Sequence, residues 1–98
     1  MAKTPRLTVN ELREEFRVPL QKVANEIYRE LVRTTPKRTG HASRGWTKPE
    51  QISKDDFNAV ITTNSVPYVP YLNEGHSSQA PAGYIEDTID KIVRRYKR

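Results

Sequence analysis

Histidines, serines and neighbouring acids are the residues of this chain that could do acid–base or nucleophilic chemistry. His76 stands beside two serines and close to Glu74, but proximity in sequence does not place a base behind a nucleophile. Asp55 and Asp56 are adjacent, so in an extended chain their side chains point to opposite sides. We therefore predict no catalytic residue and no enzyme activity.

Metal and phosphate sites are not predicted either. His41 and His76 are the only histidines, and neither has a second histidine at the spacing of a zinc site. The absence of cysteine removes disulfides and thiolate metal sites. Gly40 and Gly45 lack the Gly-Lys-Ser/Thr core of a phosphate-binding loop. We expect no cofactor.

Length and composition favour one small domain that gains stability from neighbours. The chain has 98 residues, of which 35% are hydrophobic and 30% charged. A domain of this size buries only about two-thirds of its unfolded surface, so its stability on its own is marginal. Nothing resembles a signal peptide or a membrane span, so we expect a soluble, intracellular product without membrane contact.

The positive charge of the chain is concentrated in two runs. The formal net charge is +5, and residues 31–48 and 91–98 each contain five basic residues and no acid. Residues 49–90 contain seven acids and one lysine. The basic runs can be read as two phosphate-binding patches. They can equally be a solvated loop and a helix end that suits the helix dipole.

The N-terminal third has the pattern of one long amphipathic helix. Residues 1–7 are predicted to form a flexible arm before a single domain of residues 8–98. Thr8 and Glu11 form a capping-box pattern, which marks a helix start. Pro19 lies inside the helix, where its ring should cause a kink. Apolar residues recur at spacings of three and four up to about Arg33: Leu12, Phe16, Leu20, Val23, Ile27 and Leu31.

The remaining chain predicts a small sheet and a second helix. A basic loop at 34–45 is followed by strands starting at Trp46, over 57–63, and over 68–72, where prolines favour a sheet edge. Pro81 opens the last helix. The predicted fold class is therefore α+β, with a long kinked N-terminal helix and a C-terminal helix packed on a small antiparallel β-sheet.

The tyrosines of the predicted 68–72 strand are also compatible with binding to single-stranded nucleic acid. Aromatic residues on a strand, together with basic residues elsewhere, occur in sheets that bind single-stranded nucleic acid. The aromatic residues of this chain do not interleave with its basic runs, which favours a core or interface role for them. A small nucleic-acid-binding module is therefore the second hypothesis.

Two segments carry a more specific pattern. The first is residues 35–40, ending in Thr39-Gly40, followed by Trp46. The second is Tyr68-Val69-Pro70-Tyr71-Leu72-Asn73-Glu74-Gly75, which leads to Ser78-Gln79-Ala80-Pro81. Together they resemble the small neck and tail-completion proteins of tailed bacteriophages. The order of predicted elements matches this family from about residue 9 to residue 96.

The chain departs from this family at two places in the first segment. A leucine usually follows the Thr-Gly step, where this chain has His41-Ala42. A serine often precedes the tryptophan, where this chain has Gly45. These departures concern the loop and the choice of subfamily rather than the overall match.

The resemblance implies a non-enzymatic structural protein of the virion. Such a protein would form a ring at the head–tail joint or the top of the tail, with six copies favoured over twelve and a channel for DNA. Its partners would be other copies, the neighbouring head-connector and tail proteins, and DNA in weak contact. It would be found in the virion and, during assembly, in the host cytoplasm.

The residues expected at the assembly surface come from the two segments. In this interpretation Asn73 and Glu74 extend from an edge strand toward a neighbour, and Gly75 permits a chain reversal if its φ is positive. Ser78 and Gln79 could cap the last helix. The predicted assembly set is Tyr68, Tyr71, Asn73, Glu74, Gly75, Ser78, Gln79, Pro81, Thr39, Gly40 and Trp46. The predicted DNA or partner contacts are Arg33, Lys37, Arg38, Arg44 and Lys48.

Overall fold

A computed structural model describes residues 6–12, 15–36, 41–52, 59–75 and 82–98. The described chain is an α+β fold with a two-stranded antiparallel sheet, which confirms the predicted class. The elements in chain order are β1 (Arg6–Thr8), a 3₁₀ turn (Val9–Glu11), α1 (Leu20–Thr34), α2 (His41–Arg44), β2 (Val60–Thr63), α3 (Val69–Asn73) and α4 (Tyr84–Tyr96).

Helix α1 begins directly after Pro19. This proline has extended backbone (ψ 141°), and its carbonyl accepts the Lys22 N–H at 3.0 Å. Proline suits this place because the first helical N–H groups have no partner within the helix. The helix ends where Thr35 becomes extended and Pro36 follows. Its buried residues repeat at helical spacing: Val23, Ala24, Ile27 and Leu31.

The predicted long kinked helix is not shown. Thr8, its expected start, ends β1, and Glu11, the other capping-box residue, ends the 3₁₀ turn that follows. Arg6 and Leu7, which were assigned to the flexible arm, belong to β1. Residues 15–17 are not helical, because they pair with the end of α4. The Arg17 N–H donates to the Tyr96 carbonyl at 2.8 Å, and the Arg98 N–H donates to the Glu15 carbonyl at 2.9 Å.

Strand β2 lies between two extended segments. On one side it pairs antiparallel with β1, with Arg6 opposite Thr63 and an irregularity after Leu7. On the other side the Thr47 N–H donates to the Thr63 carbonyl at 3.0 Å. The predicted strand over 57–63 is thus observed as Val60–Thr63, while residues 57 and 58 lie outside the described chain. The strand predicted at Trp46 is reduced to a single bridge with Asn64.

Helices α1 and α4 pack antiparallel and meet along a polar line, here called the α1–α4 seam. Its members lie one turn apart on each helix, which is why they stay in register over the whole contact. Tyr96 adds a hydrogen bond from its hydroxyl to Glu26 at 2.6 Å, and this bond raises the pKa of Tyr96. The pairs of the seam are Glu26–Arg95 at 3.4 Å, Glu30–Lys91 at 3.6 Å and Thr34–Thr88 at 3.3 Å.

The core lies between α1, α4 and β2. The predicted last helix is confirmed as Tyr84–Tyr96, and Ile85 and Ile92 of its apolar stripe are buried. Ile61 of β2 and Ile27 of α1 are completely buried. None of the helices in the described ranges is long and apolar enough to cross a membrane.

Candidate assembly surface

The predicted edge strand over 68–72 is wrong, because this segment is helix α3. Pro70 is its second residue, where the missing N–H costs nothing, and the Leu72 N–H donates to the Tyr68 carbonyl at 3.0 Å. A helical turn brings Val69, fully buried, and Leu72, half-buried, to the core side. The backbone of α3 is therefore not an open strand edge to which a neighbour could add hydrogen bonds.

Tyr68 stands out at the start of this helix. It is the one large hydrophobic residue of the described chain that is exposed, with 40% of its surface accessible. Pro67 beside it is exposed as well. Tyrosine at such a position offers a rigid apolar ring with a polar tip, which suits contact with another protein.

Asn73 joins α3 to the first turn of α4. Its side-chain oxygen accepts the Ile85 N–H at 2.9 Å, and its carbonyl accepts the Gly83 N–H at 2.7 Å. Its side-chain nitrogen donates to both carboxylate oxygens of Glu86, at 2.8 and 3.0 Å. Asn73 thus satisfies an unpaired N–H of α4, a role predicted for Ser78 and Gln79. It is not available to a neighbour in the way the edge-strand interpretation required.

Two glycines lie at the ends of the connection between α3 and α4, where they allow the backbone to change direction. Gly75 has φ of +95° and Gly83 has φ of +77°, so the condition placed on Gly75 is met. A side chain at Gly75 would also lie 3.2 Å from the Ala82 Cβ, because the two arms of the connection run close together. Glu74 before it is exposed. The other predicted residues here, Ser78, Gln79 and Pro81, lie outside the described chain, and Tyr71 is placed only as part of α3.

Trp46 of the first segment is an internal residue. It is 5% exposed, and its indole N–H donates to the Thr35 hydroxyl oxygen at 2.8 Å. That hydroxyl in turn donates to the Leu31 carbonyl at 2.6 Å. The tryptophan therefore anchors the segment that follows α2 to the end of α1 instead of contacting a partner. Thr39 and Gly40 lie outside the described residues.

Asn64 links α2 to the residues between β2 and α3, a role the sequence did not reveal. It is completely buried, its nitrogen donates to the Ala42 carbonyl at 2.7 Å, and its oxygen accepts the Val66 N–H at 3.0 Å. Gly45 packs against this amide, and a Cβ there would collide with Asn64 Oδ1 and lie 2.6 Å from the Val66 Cγ2. In sequence Asn64 reads only as a turn residue, because asparagine is common in turns.

Tyr84 packs close to Thr35, the residue that anchors Trp46, and its own hydroxyl has no hydrogen-bond partner in the described chain. Tyr84 is 3% exposed, and its buried oxygen makes no hydrogen bond to the described chain. Burial raises the pKa of Tyr84, and the nearby Thr35 hydroxyl opposes that effect only in part. The Thr35 hydroxyl already donates to Leu31 and accepts from Trp46, so its hydrogen-bonding capacity is largely used.

We predict that Tyr84→Phe stabilises the protein or leaves it unchanged. Removing a buried hydroxyl without a partner relieves a desolvation cost of about 1–3 kcal/mol, reduced by the small cavity that remains. Thr35→Val is the matched control, because it leaves the Trp46 N–H unpaired and should destabilise by about 1–3 kcal/mol. Urea unfolding of both variants tests this, and a clear loss of stability in Tyr84→Phe would contradict it.

Of the predicted DNA or partner contacts, Arg33 is already paired. Its guanidinium donates to the Glu30 carboxylate, with N–O distances of 2.8 and 2.7 Å. This hydrogen bond lowers the pKa of Glu30, against desolvation, which raises it. The stabilisation is therefore present above the unfolded pKa of glutamate and is lost as pH falls through the lowered value. Arg44 and Lys48 are exposed, and Lys37 and Arg38 lie outside the described ranges.

No group of three histidine, cysteine or acidic residues in the described part of the chain could hold a metal ion.

Comparison with known proteins adds no relative. No protein-family model matches the chain, and neither a curated protein nor a solved structure matches it.

Proposed function

We propose that this chain is a structural protein of a tailed-phage particle, which forms a ring at the head–tail joint or the top of the tail. Six copies are favoured over twelve, with a central channel for DNA. The neighbours would be head-connector and tail proteins, and the role is not enzymatic. The protein would be part of the virion and, before that, of the host cytoplasm.

The observation that carries the proposal is the motif of residues 68–83, supported by how its described part is built. Asn73 and the two positive-φ glycines hold the ends of the connection in one geometry. Tyr68 presents an exposed ring directly before α3, the helix that Asn73 joins to α4. An exposed aromatic residue on a rigid support is typical of protein contacts, because little side-chain entropy is lost on binding.

The ion pairs of the α1–α4 seam weigh against the nucleic-acid module as the main function. Two of the five cations in the C-terminal basic run, Lys91 and Arg95, pair with acids of α1, and Arg94 lies 3.9 Å from Asp90. Much of the run therefore serves intramolecular contacts. Tight, sequence-selective binding to nucleic acid needs side chains free to reach base edges.

Tyr68→Ser is expected to weaken ring assembly while leaving the monomer folded. The side chain is exposed, so its loss should change the free energy of unfolding by no more than about 0.5 kcal/mol. Tyr68→Phe is the matched control, because it keeps the apolar ring. The measurement is the mass of the purified protein by light scattering over a concentration series, together with the yield of joined heads and tails.

Two results would contradict the proposal. One is a wild-type protein that stays monomeric at all concentrations and is absent from purified virions. The other is a Tyr68→Ser variant with wild-type mass and normal yield of joined particles, which would remove Tyr68 from the contact.

A further inference from the structure

The solvent-facing side of α1 carries only positive charge. Three residues of this helix are exposed, and all three are cations: Lys22, Arg29 and Arg33. They are seven and four residues apart, so they share one side of the helix. At the rise of an α-helix they span about 16 Å.

The two acids of the helix lie beside this line, on the flank that faces α4, and both are paired with cations. Glu26 and Glu30 are half-buried in the α1–α4 seam, with side chains 21% and 20% exposed. Glu26 pairs with Arg95, and Glu30 pairs with Lys91 and Arg33. The seam therefore neutralises the two carboxylates, while the α4 cations that pair with them remain partly exposed.

Helix α4 widens the positive surface. Lys91 and Arg95 keep 48% and 47% of their side-chain surface exposed although they are paired. Lys22 lies 5.6 Å from the centre of the Tyr96 ring, which holds it near the C-terminal end of α4. We define the cationic ridge as Lys22, Arg29, Arg33, Lys91 and Arg95.

We propose that the cationic ridge is the surface of this protein that contacts the phosphate backbone of DNA. A straight row of cations on a rigid helix matches a polyanion that carries about one charge per 1.7 Å of its axis. The row offers no pattern for reading bases, so contact is weak and independent of sequence. The ridge differs from the set of contacts that the sequence alone predicts, which is Arg33, Lys37, Arg38, Arg44 and Lys48, and the two sets share only Arg33.

This inference rests on the proposed ring, since DNA is the polyanion that would pass through its channel. In that setting the ridge faces the channel, and cations partly neutralised by Glu26 and Glu30 let DNA slide without being held. Binding itself is a property of the single protein and is tested on it.

The test is the affinity of the full chain for a short labelled DNA duplex, measured by fluorescence anisotropy between about 50 and 200 mM salt. We expect Lys22→Gln/Arg29→Gln to lower the slope of log affinity against log salt by about two. Arg6→Gln/Arg94→Gln removes the same charge from exposed residues outside the ridge and should keep the wild-type slope. Arg29→Gln alone, which disturbs no contact in the described chain, should lower the slope by about one.

The inference is overturned if the control pair lowers the slope as much as the ridge pair, or if the wild type does not bind the duplex. A ridge variant that binds DNA normally but loses a neighbouring virion protein would also overturn it. Mass measured on the same samples separates the two proposals. A ring with unchanged slopes refutes the ridge alone, and a monomer with the expected slopes refutes the ring alone.

Discussion

Ile27→Ala is expected to lower the free energy of unfolding by about 2–5 kcal/mol, which is a large part of the stability of a domain this small. Ile27 is completely buried, and it lies between Val23 and Leu31 on the stripe that packs against the core. Truncation removes apolar contact area and leaves a cavity, because neighbours on α4 and β2 can close in only partly. The measurement is the urea midpoint followed by circular dichroism.

Arg29→Ala is the control on the same helix, two residues away on the exposed side. It should change stability by no more than about 0.5 kcal/mol. An unchanged midpoint in Ile27→Ala would contradict the packing described here. A loss that is seen only in the assembled protein would show that this stripe becomes buried on assembly.

Gly45→Ser is expected to destabilise the protein by about 1–3 kcal/mol. The new Cβ would meet the Val66 Cγ2 at 2.6 Å and collide with the Asn64 amide oxygen. The amide cannot move aside without loss, since it bonds to Ala42 and Val66. Thermal unfolding measures the effect, with Thr47→Ser as a control that keeps its hydroxyl and should be near neutral.

A double-mutant cycle tests the stated cause. Val66→Ala removes one of the two groups that a Cβ at residue 45 would meet, so Gly45→Ser should cost less in that background. Strict additivity of the two changes would show that the collision is not the source of the loss.

The helices that were predicted from sequence are those with sustained helical periodicity. The stripe of Val23, Ile27 and Leu31 and the one of Ile85 and Ile92 repeat over several turns, so local pattern and packing agree. The segment over 68–72 is only five residues long and rich in aromatic and β-branched residues. Its helical state depends on Val69 and Leu72 reaching the core, which no local pattern reveals.

The start of the first helix was missed for a related reason. Phe16 continues the apolar spacing of α1, but it pairs with Lys97 in an extended bridge. Its partner is about eighty residues away in sequence, so the periodicity of a local window cannot detect it. Thr8 and Glu11 flank only a single 3₁₀ turn, and the Thr8 side chain caps none of its N–H groups.

Only part of the candidate site, like only part of the fold, could be predicted from the sequence. The sequence pattern assigns residues of the 68–75 segment and Trp46 to an assembly surface, but the structure gives two of these residues internal roles. Asn73 caps α4 inside the domain, and Trp46 is a core anchor. The charge runs were visible in sequence, whereas their pairing across the α1–α4 seam was not, because Glu26 and Arg95 are brought together only by the packing of two distant helices.

The distance along the chain between the two helices of the seam also affects how the protein is made. Helix α1 ends at Thr34 and α4 ends at Tyr96, so about sixty residues must be translated after α1 before α4 can cover its apolar stripe. At 5–20 residues per second, the stripe lacks α4 during synthesis for about 3 to 12 s. The nascent chain therefore exposes this apolar stripe to solvent during synthesis. A chaperone that binds exposed apolar segments should raise the yield of folded protein.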